Sequence, residues 1–167
     1  MRVPSKIRSA SHSDAPQIAA IYDPYVVGAS ISFEEQLVSF QGIEQRMTEI
    51  GDASLPYLVL ENAQSTVIGY AYARKWKGRC AYNFTVETSI YLAKSAAGKG
   101  LGAQLYRALL DQLRERKIHV AIAGIVLPNK TSIALHEKLG FERVARFREE
   151  SFKFENWKDV GYWQLFL

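Results

Sequence analysis

A glycine-rich turn that joins a strand pattern to a helix pattern is the stretch of this sequence best suited to binding a ligand. Residues 85–92 are rich in Thr, Val, Ile and Tyr, which is typical of a half-buried strand, and leucines recur at helical spacing from Leu101 to Leu110. Glycines occupy alternate positions of the turn between them, residues 97–102. Glycine permits positive φ and a close approach of the backbone, and the first amides of a helix lack an intrahelical partner. Such amides, at the positive end of the helix dipole, can bind phosphate.

The spacing of these glycines does not by itself decide their role. They stand at positions 98, 100 and 102, which is not the register of a GxGxxG dinucleotide fingerprint. No Gly-Lys-Ser or Gly-Lys-Thr follows, so the stretch is not a P-loop either. A glycine-rich turn before a helix can also be a turn and nothing more. Both interpretations stay open at the level of the pattern.

Glu87 is the acidic residue of the predicted strand and could act as a base. Alternation along the strand places its side chain in phase with Ser89 and Tyr91. A carboxylate in that position either points to solvent or faces a cleft in which desolvation makes it a stronger base. Spacing alone favours solvent.

Composition indicates one globular domain covering residues 1–167. A chain of 167 residues can bury a sizeable core, and 48% hydrophobic with 23% charged residues is ordinary for a folded protein. The single cysteine, Cys80, cannot form an intrachain disulfide, and no Cys/His cluster predicts a metal site. The longest apolar run, residues 120–127, is too short to span a bilayer. We therefore expect a cytoplasmic protein without a metal or a membrane anchor.

The net charge argues weakly against a nucleic-acid partner. The formal charge is +4, and the Lys and Arg residues are scattered among acids. A modest excess of this kind favours solubility over nucleic-acid binding, although it also suits an anionic ligand.

The elements that must position the turn and Glu87 alternate between strand and helix patterns. Ser13 is the expected cap of a first helix with Pro16 in its first turn, and Pro24 is expected to end or kink that helix. Gly140 is expected to close a short helix in the left-handed conformation. The predicted strands are residues 6–8, 57–60, 67–74, 85–92, 119–127, 141–154 and 161–166, and the helices after the first are residues 41–50, the run from Leu101, and residues 131–139.

The order of these motifs resembles the GNAT superfamily of N-acetyltransferases. The superfamily pattern is Gly100-x-Gly102, a helix, a strand ending near Asn129, and Leu139-Gly140-Phe141. Thr85-Val86-Glu87, the run at 135–141 and the ending at 157–164 look more closely like the phosphinothricin and methionine sulfoximine acetyltransferase branch. One departure is Ala97, which stands where the superfamily loop usually has Gln or Arg.

This resemblance implies a fold and a cosubstrate. The fold is α/β (α+β): a mixed central sheet of about six to seven strands flanked by helices, with a splayed parallel pair that holds acetyl-CoA. Asn129 would contact the CoA arm and could also cap the following helix. The pyrophosphate would lie on Gly98, Lys99, Gly100, Leu101, Gly102 and Ala103, and the pantetheine arm along Ile90, Tyr91 and Leu92.

The resemblance also assigns catalytic roles. Glu87 would be the general base, directly or through a water molecule. An amide of the same strand would stabilise the oxyanion. His136 occupies the place of a tyrosine that protonates the leaving thiolate in many members. It could equally be a packed, hydrogen-bonded helix residue.

The acceptor implied by the branch is a small amino-acid analogue, namely phosphinothricin, methionine sulfoximine or methionine sulfone. Candidate acceptor contacts are Phe33, Glu34, Arg46, Arg74 and Arg79, and the arginines could grip a carboxylate or phosphinate. Each could instead be a surface residue. Another amine acceptor and a non-catalytic acyl-CoA-binding module remain alternatives. The resemblance also implies a homodimer, and the apolar ending at 162–167 would be unusual if fully exposed.

Overall fold

A computed structural model describes residues 5–167, which form one seven-stranded mixed sheet with helices on both faces. The strand order is β1-β2-β3-β4-β5-β7-β6. In chain order the elements are β1 (Ser5–Ser9), α1 (Ala15–Val27), α2 (Phe40–Asp52), β2 (Tyr57–Asn62), β3 (Val67–Lys75), β4 (Thr85–Leu92), α3 (Leu101–Glu115), β5 (Val120–Val126), α4 (Lys130–Lys138), β6 (Glu142–Lys153) and β7 (Asn156–Phe166).

The parallel pair predicted from the sequence is present, and it separates part of the way along. Strands β4 and β5 are paired only from Thr85 with Val120 to Glu87 with Ile122. Beyond Glu87, β4 continues to pair with β3 while β5 pairs with β7, both antiparallel. The expectation of a mixed sheet with a splayed parallel pair is therefore confirmed, and the gap opens at Glu87.

Two apolar layers hold the sheet between the helices. The face toward α3 buries Leu105, Leu109 and Leu113, which recur every four residues and are fully buried. The opposite face packs against α1 and α2 through Ile18 and Ile43. Burying a leucine of this size contributes about 1.5–3 kcal/mol, so α3 is fixed firmly beside β4.

The start of the first helix differs from the expectation. Ser11, not Ser13, precedes the first turn, which is a short 3-10 segment at His12–Asp14 that runs into α1. The carboxylate of Asp14 accepts hydrogen bonds from the Ser11 amide and the Arg8 guanidinium, each at 2.8 Å. Asp14 therefore organises this helix start, and its role depends on a partner in β1.

Pro24 does not end α1, which continues to Val27. Tyr22 and Val26, on either side of the proline, are both buried in the core under α2. Tertiary packing of this face offsets the missing backbone hydrogen bond. The helix stops at Gly28, whose amide donates to the Pro24 carbonyl at 3.1 Å.

The last strand begins five residues earlier than predicted. The expected loop at 155–159 is largely strand, and the turn consists of Phe154 and Glu155, with φ of 52° and 56°. A two-residue turn with both φ values positive usually carries Asn-Gly, and this sequence lacks that signal. Pairing of Trp157 with Phe152 extends the hairpin.

The apolar C-terminal run is mostly covered within the chain. Strand β7 lies between β5 and β6, so Trp163 is buried and Leu165 is half-buried, while Phe166 is exposed. Because this apolar run is mostly buried in the sheet, it no longer argues for a dimer. No helix within residues 5–167 is long and apolar enough to cross a membrane.

Candidate active site

The separation of β4 from β5 opens a cleft directly after Glu87. Both strands line it, together with α4 and the segment that joins α1 to α2. The cleft therefore lies between the half of the sheet that contains β1–β4 and the half that contains β5, β7 and β6. The lining includes Tyr22, Phe33, Glu34, Arg46, Arg74, Glu87, Ser89, Ile90, Tyr91, Gly124, Asn129 and His136.

Glu87 is held at the mouth of this gap by a cross-strand pair with Arg74. Register places the two residues opposite each other on β3 and β4. Oε2 of Glu87 accepts from Nε of Arg74 at 2.7 Å and lies 2.6 Å from Nη2. The carboxylate side chain is 15% exposed and the guanidinium side chain 55% exposed. Arg74 thus faces outward and directs the carboxylate into the cleft.

The second oxygen of Glu87 is available to a ligand. Oε1 accepts no hydrogen bond from any residue in the range 5–167, and no buried side-chain oxygen or nitrogen in that range lacks a partner. Oε1 is therefore open to solvent within the cleft. It points across the splay at Gly124, where an added Cβ would lie 3.6 Å from it. The same Cβ would lie 3.3 Å from the Tyr162 ring, so glycine at this place in β5 lets the carboxylate and that ring approach the strand closely.

A buried polar chain lies under the cleft. The hydroxyl of Tyr106, a fully buried residue of α3, is 2.6 Å from Thr88 Oγ1 and 3.1 Å from His136 Nε2. Thr88 follows Glu87 in β4, and its Oγ1 also lies 3.2 Å from the Ile122 carbonyl. This chain connects the splay point to α4. Sequence reasoning missed Tyr106 because its position among the leucines of α3 indicates only core packing.

The protonation form of His136 follows from its partners. Nδ1 lies 2.7 Å from the Ser132 carbonyl, which can only accept, so Nδ1 carries the proton. In the neutral ring Nε2 then accepts from Tyr106. Burial lowers the pKa of His136 below its ordinary value, although the Ser132 bond opposes the shift. His136 is 4% exposed, and its geometry matches the packed, hydrogen-bonded alternative.

The glycine-rich turn has the geometry that phosphate binding needs. Gly98 and Gly100 both have φ of 74°, and a Cβ on either would meet nothing within 4 Å. Gly100 is the residue before α3, so the amides of Leu101, Gly102 and Ala103 begin the helix without intrahelical partners. Lys99 is exposed beside them.

Two further expected contacts take fixed positions near the ends of β4 and β5. Asn129 is the cap of α4, as its residue type predicts, and its Oδ1 accepts from the Ser132 amide at 3.1 Å. The carbonyl of Leu92 already accepts from the Tyr25 hydroxyl at 2.6 Å. This bond ties the end of β4 to α1.

The acceptor candidates do not all reach the cleft. Phe33 lines it and is half exposed, and Glu34 pairs with Arg46 at 2.5 Å across the α1–α2 segment. Arg79 is exposed at the start of a short turn and is not among the lining residues. The structure thus brings Phe33, Glu34 and Arg46 together with Glu87 and leaves Arg79 apart.

Within residues 5–167 no three His, Cys, Asp or Glu side chains are grouped in a way that could hold a metal ion.

Comparison with known proteins agrees with this geometry. Residues 7–161 match the family described as "Acetyltransferase (GNAT) domain". The chain is 34% identical over 163 residues to the phosphinothricin N-acetyltransferase of Streptomyces viridochromogenes, covering 98% of this chain and 88% of that protein. The L-methionine sulfoximine/L-methionine sulfone acetyltransferase of Pseudomonas aeruginosa is also 34% identical, covering 98% and 95%.

A solved structure is similar over the full chain. It is a GNAT superfamily phosphinothricin acetyltransferase from Sinorhizobium meliloti in complex with AcCoA, with a TM-score of 0.95 and 35% identity, covering all of this chain and 89% of that one. The matched family spans most of the chain, and the relatives align from end to end. The chain therefore belongs to the GNAT acetyltransferase family.

Proposed function

We propose that this protein transfers an acetyl group from acetyl-CoA to the α-amino group of a small amino-acid analogue such as phosphinothricin, methionine sulfoximine or methionine sulfone. One observation carries the proposal: Glu87 presents an unpaired carboxylate oxygen at the point where β4 and β5 separate. The names of the relatives support the class of acceptor.

The residues at the start of α3 fit the pyrophosphate of acetyl-CoA. Gly98, Lys99, Gly100, Leu101, Gly102 and Ala103 combine open space, free amides and one cationic side chain. Beyond Glu87 the edge of β4 toward β5 has no strand partner, so the stretch Ile90, Tyr91 and Leu92 borders the gap in which the pantetheine arm would lie. Acetyl-CoA, when bound, supplies the thioester that the amine attacks.

Glu87 would act on the acceptor amine. Its Oε1 accepts a proton from the ammonium, directly or through a water molecule, while Arg74 holds Oε2 and fixes the direction of the carboxylate. The amine becomes nucleophilic only when this proton has left. An amide on the free edge of β4 would then stabilise the negative oxygen of the tetrahedral intermediate. As this intermediate collapses to the N-acetyl product, the C–S bond would break, and CoA would leave as the thiolate and take up a proton from Glu87 or from water.

His136 fits a positioning role in this scheme. Its one proton is bound to the Ser132 carbonyl, so Nε2 has none to give to a thiolate unless the ring is doubly protonated, which burial opposes. The ring supports Tyr106 and, through it, Thr88 next to Glu87. We assign to His136 the role of supporting the point where β4 and β5 separate. Asn129 caps α4 beside the thioester.

Arg46 is the most suitable group for an acceptor carboxylate or phosphinate. It lines the cleft opposite Glu87 on the α1–α2 side and already bonds the carboxylate of Glu34. Arg74 has a second role available, since its guanidinium is more than half exposed while it holds Glu87. Phe33 supplies an apolar wall for the acceptor side chain. We leave Arg79 out of the site.

We further propose that the enzyme works in the cytoplasm as a homodimer. Apolar side chains cluster on the exposed surface of the β6–β7 hairpin, and such a surface suits a second copy of the chain. They are Val144, Phe147, Phe152, Phe154 and Trp157, each at least half exposed. The free, exposed Cys80 fits a reducing compartment.

The test is release of free CoA from acetyl-CoA with a panel of acceptors. The panel contains phosphinothricin, methionine sulfoximine, methionine sulfone, common amino acids, a polyamine and a short peptide. We expect a strong preference for the first three. Turnover on the peptide or polyamine alone would contradict the acceptor assignment, and binding of acetyl-CoA without turnover on any amine would contradict the reaction.

A further inference from the structure

Lys153 is a buried lysine whose three donors are all used. It is the last residue of β6 and is 4% exposed. Its Nζ donates to the carbonyl of Ala29 at 2.9 Å, to that of Ser32 at 3.0 Å and to that of Tyr25 at 3.4 Å. An ammonium has three N–H donors and no acceptor, so these carbonyls satisfy it completely. Nothing in the proposed chemistry uses this side chain.

The three carbonyls belong to the end of α1 and to the segment after it, which reaches the wall of the acceptor site. Tyr25 lies in the last turn of α1, where carbonyls lack helical partners and the helix dipole favours a cation. Ala29 and Ser32 lie in residues 28–35, which we call the acceptor segment. That segment carries Phe33 and Glu34 to the cleft.

The bond from Lys153 crosses the cleft. Strand β6 is at the edge of the sheet beyond β5 and β7, whereas α1 packs on the half that contains β2 and β3. The strands of these halves pair with each other only along the short β4–β5 ladder that ends at Glu87. Lys153 therefore adds a further link between the halves, at the acceptor end.

Contacts within the acceptor segment carry this attachment to the site. Ser32 is 1% exposed, and its Oγ lies 2.6 Å from the Tyr22 hydroxyl and accepts from the Glu34 amide at 3.0 Å. Glu34 in turn pairs with Arg46. Fixing the carbonyl of Ser32 therefore fixes the backbone that orients Glu34 and, through it, Arg46.

The turn after Lys153 is held in an unfavourable conformation. Phe154 and Glu155 both adopt positive φ, which is uncommon for residues other than glycine and asparagine. Such strain persists where the surrounding structure determines it. Here the turn aims Lys153 inward while Asn156 Nδ2 closes onto the Phe154 carbonyl at 2.7 Å.

We propose that Lys153 is a positioning residue that holds the acceptor segment in place and thereby sets the affinity for the acceptor amine. The identity of the acceptor in this inference rests on the proposed function. The attachment of residues 28–35 to Lys153 rests on the hydrogen bonds alone. Two readouts separate these parts: the KM for acceptor and the hydrogen exchange of residues 28–35.

The variant Lys153→Met keeps much of the side-chain stem and removes the ammonium. We expect the KM for acceptor to rise roughly ten- to hundredfold, because small misplacements of positioning groups have effects of this size. The dissociation constant for acetyl-CoA should stay within about twofold, since none of residues 98–103 lines the cleft or accepts a bond from Lys153. Lys158→Met, on β7 of the same hairpin, is the matched control and should leave both constants unchanged. Equal rises in both constants, or no rise in the KM for acceptor, would overturn the proposal.

Chemical rescue distinguishes the ammonium from side-chain volume. Lys153→Cys is made in a Cys80→Ser background, alkylated in urea with 2-bromoethylamine and refolded, which restores a side chain of lysine length with a terminal ammonium. Alkylation with iodoacetamide restores length without charge. We expect the first treatment, and not the second, to return the KM for acceptor toward that of the refolded Cys80→Ser protein. Equal recovery with both reagents, or with neither, would contradict a role for the ammonium.

Hydrogen exchange tests the attachment even if no acceptor on the panel is turned over. We expect the Glu34 amide and its neighbours to exchange faster in Lys153→Met than in the unchanged protein, with α3 unaffected. Unchanged exchange across residues 28–35 would refute the attachment itself. Faster exchange in a protein that is inactive on every amine would support the attachment of residues 28–35 through Lys153 and contradict the proposed function.

Discussion

Replacing His136 with glutamine should change how stability depends on pH. In the folded protein burial lowers the pKa of His136, whereas in the unfolded chain the side chain has its ordinary pKa of 6.5. The unfolded state therefore binds the proton more readily as the pH falls below 6.5. The stability that neutral His136 contributes is present above pH 6.5 and is lost as the pH falls toward the folded-state pKa.

The change in the free energy of unfolding with pH is limited, because His136 binds only one proton. One group contributes a slope of at most about 1.4 kcal/mol per pH unit, and between pH 6.5 and 5.5 the loss from this group is at most about 1 kcal/mol. His136→Gln lacks the titrating group, so its free energy of unfolding should fall less over this interval. Carboxylates that titrate at lower pH are common to both proteins and cancel in the difference.

Urea unfolding at pH 7.5, 6.5 and 5.5 and constant ionic strength measures this difference. His119→Gln is the matched control, because His119 is exposed and lies outside the buried chain. Equal slopes for His136→Gln and the unchanged protein would refute the assignment of a buried neutral ring. A steeper fall in His136→Gln would mean that the folded state favours the imidazolium, as a proton donor to the thiolate requires.

Two more substitutions test the buried chain and the glycine-rich turn. Tyr106→Phe removes one hydroxyl and leaves Thr88 and His136 Nε2 short of a partner, so the free energy of unfolding should fall by about 1–3 kcal/mol in urea titrations; a loss below about 0.5 kcal/mol would contradict the chain. Gly100→Ala places a Cβ at positive φ, so we expect about 1 kcal/mol of destabilisation and weaker binding of acetyl-CoA by calorimetry. Its control is Gly51→Ala in α2, where a Cβ meets nothing within 4 Å and alanine should stabilise the helix by about 0.5–1 kcal/mol. Unchanged acetyl-CoA affinity in Gly100→Ala would speak against a phosphate site at the turn.

Periodicity was enough to predict the parts of the fold that bury a continuous face. The leucines of α3 and the apolar run of β5 are strong local signals, and both elements were expected close to their observed positions. The β6–β7 turn was missed because Phe154 and Glu155 carry no local signal for positive φ. The passage of α1 through Pro24 was missed because it depends on burial of Tyr22 and Val26 by other elements.

The site could be predicted only in part from the sequence, because it too depends on contacts between residues far apart in the chain. Glu87 and the glycine-rich turn were assigned roles through the resemblance to the GNAT superfamily, since spacing alone left the turn open and favoured solvent for Glu87. The pairing of Glu87 with Arg74 depends on the register between β3 and β4, which alternation does not set uniquely. Lys153 reads as an ordinary strand lysine, because the carbonyls it bonds lie 121 to 128 residues earlier in the chain.

The most direct test of the central claim is the activity of Glu87→Gln. Glutamine keeps the size of the side chain but cannot take a proton from the acceptor ammonium, and a general base typically contributes about 10²–10⁴ in rate. We expect kcat/KM for the preferred acceptor to fall by about 100-fold or more, with the dissociation constant for acetyl-CoA within about twofold of its original value and with Glu115→Gln, at the exposed end of α3, fully active. Undiminished acetyl transfer by Glu87→Gln would contradict the account.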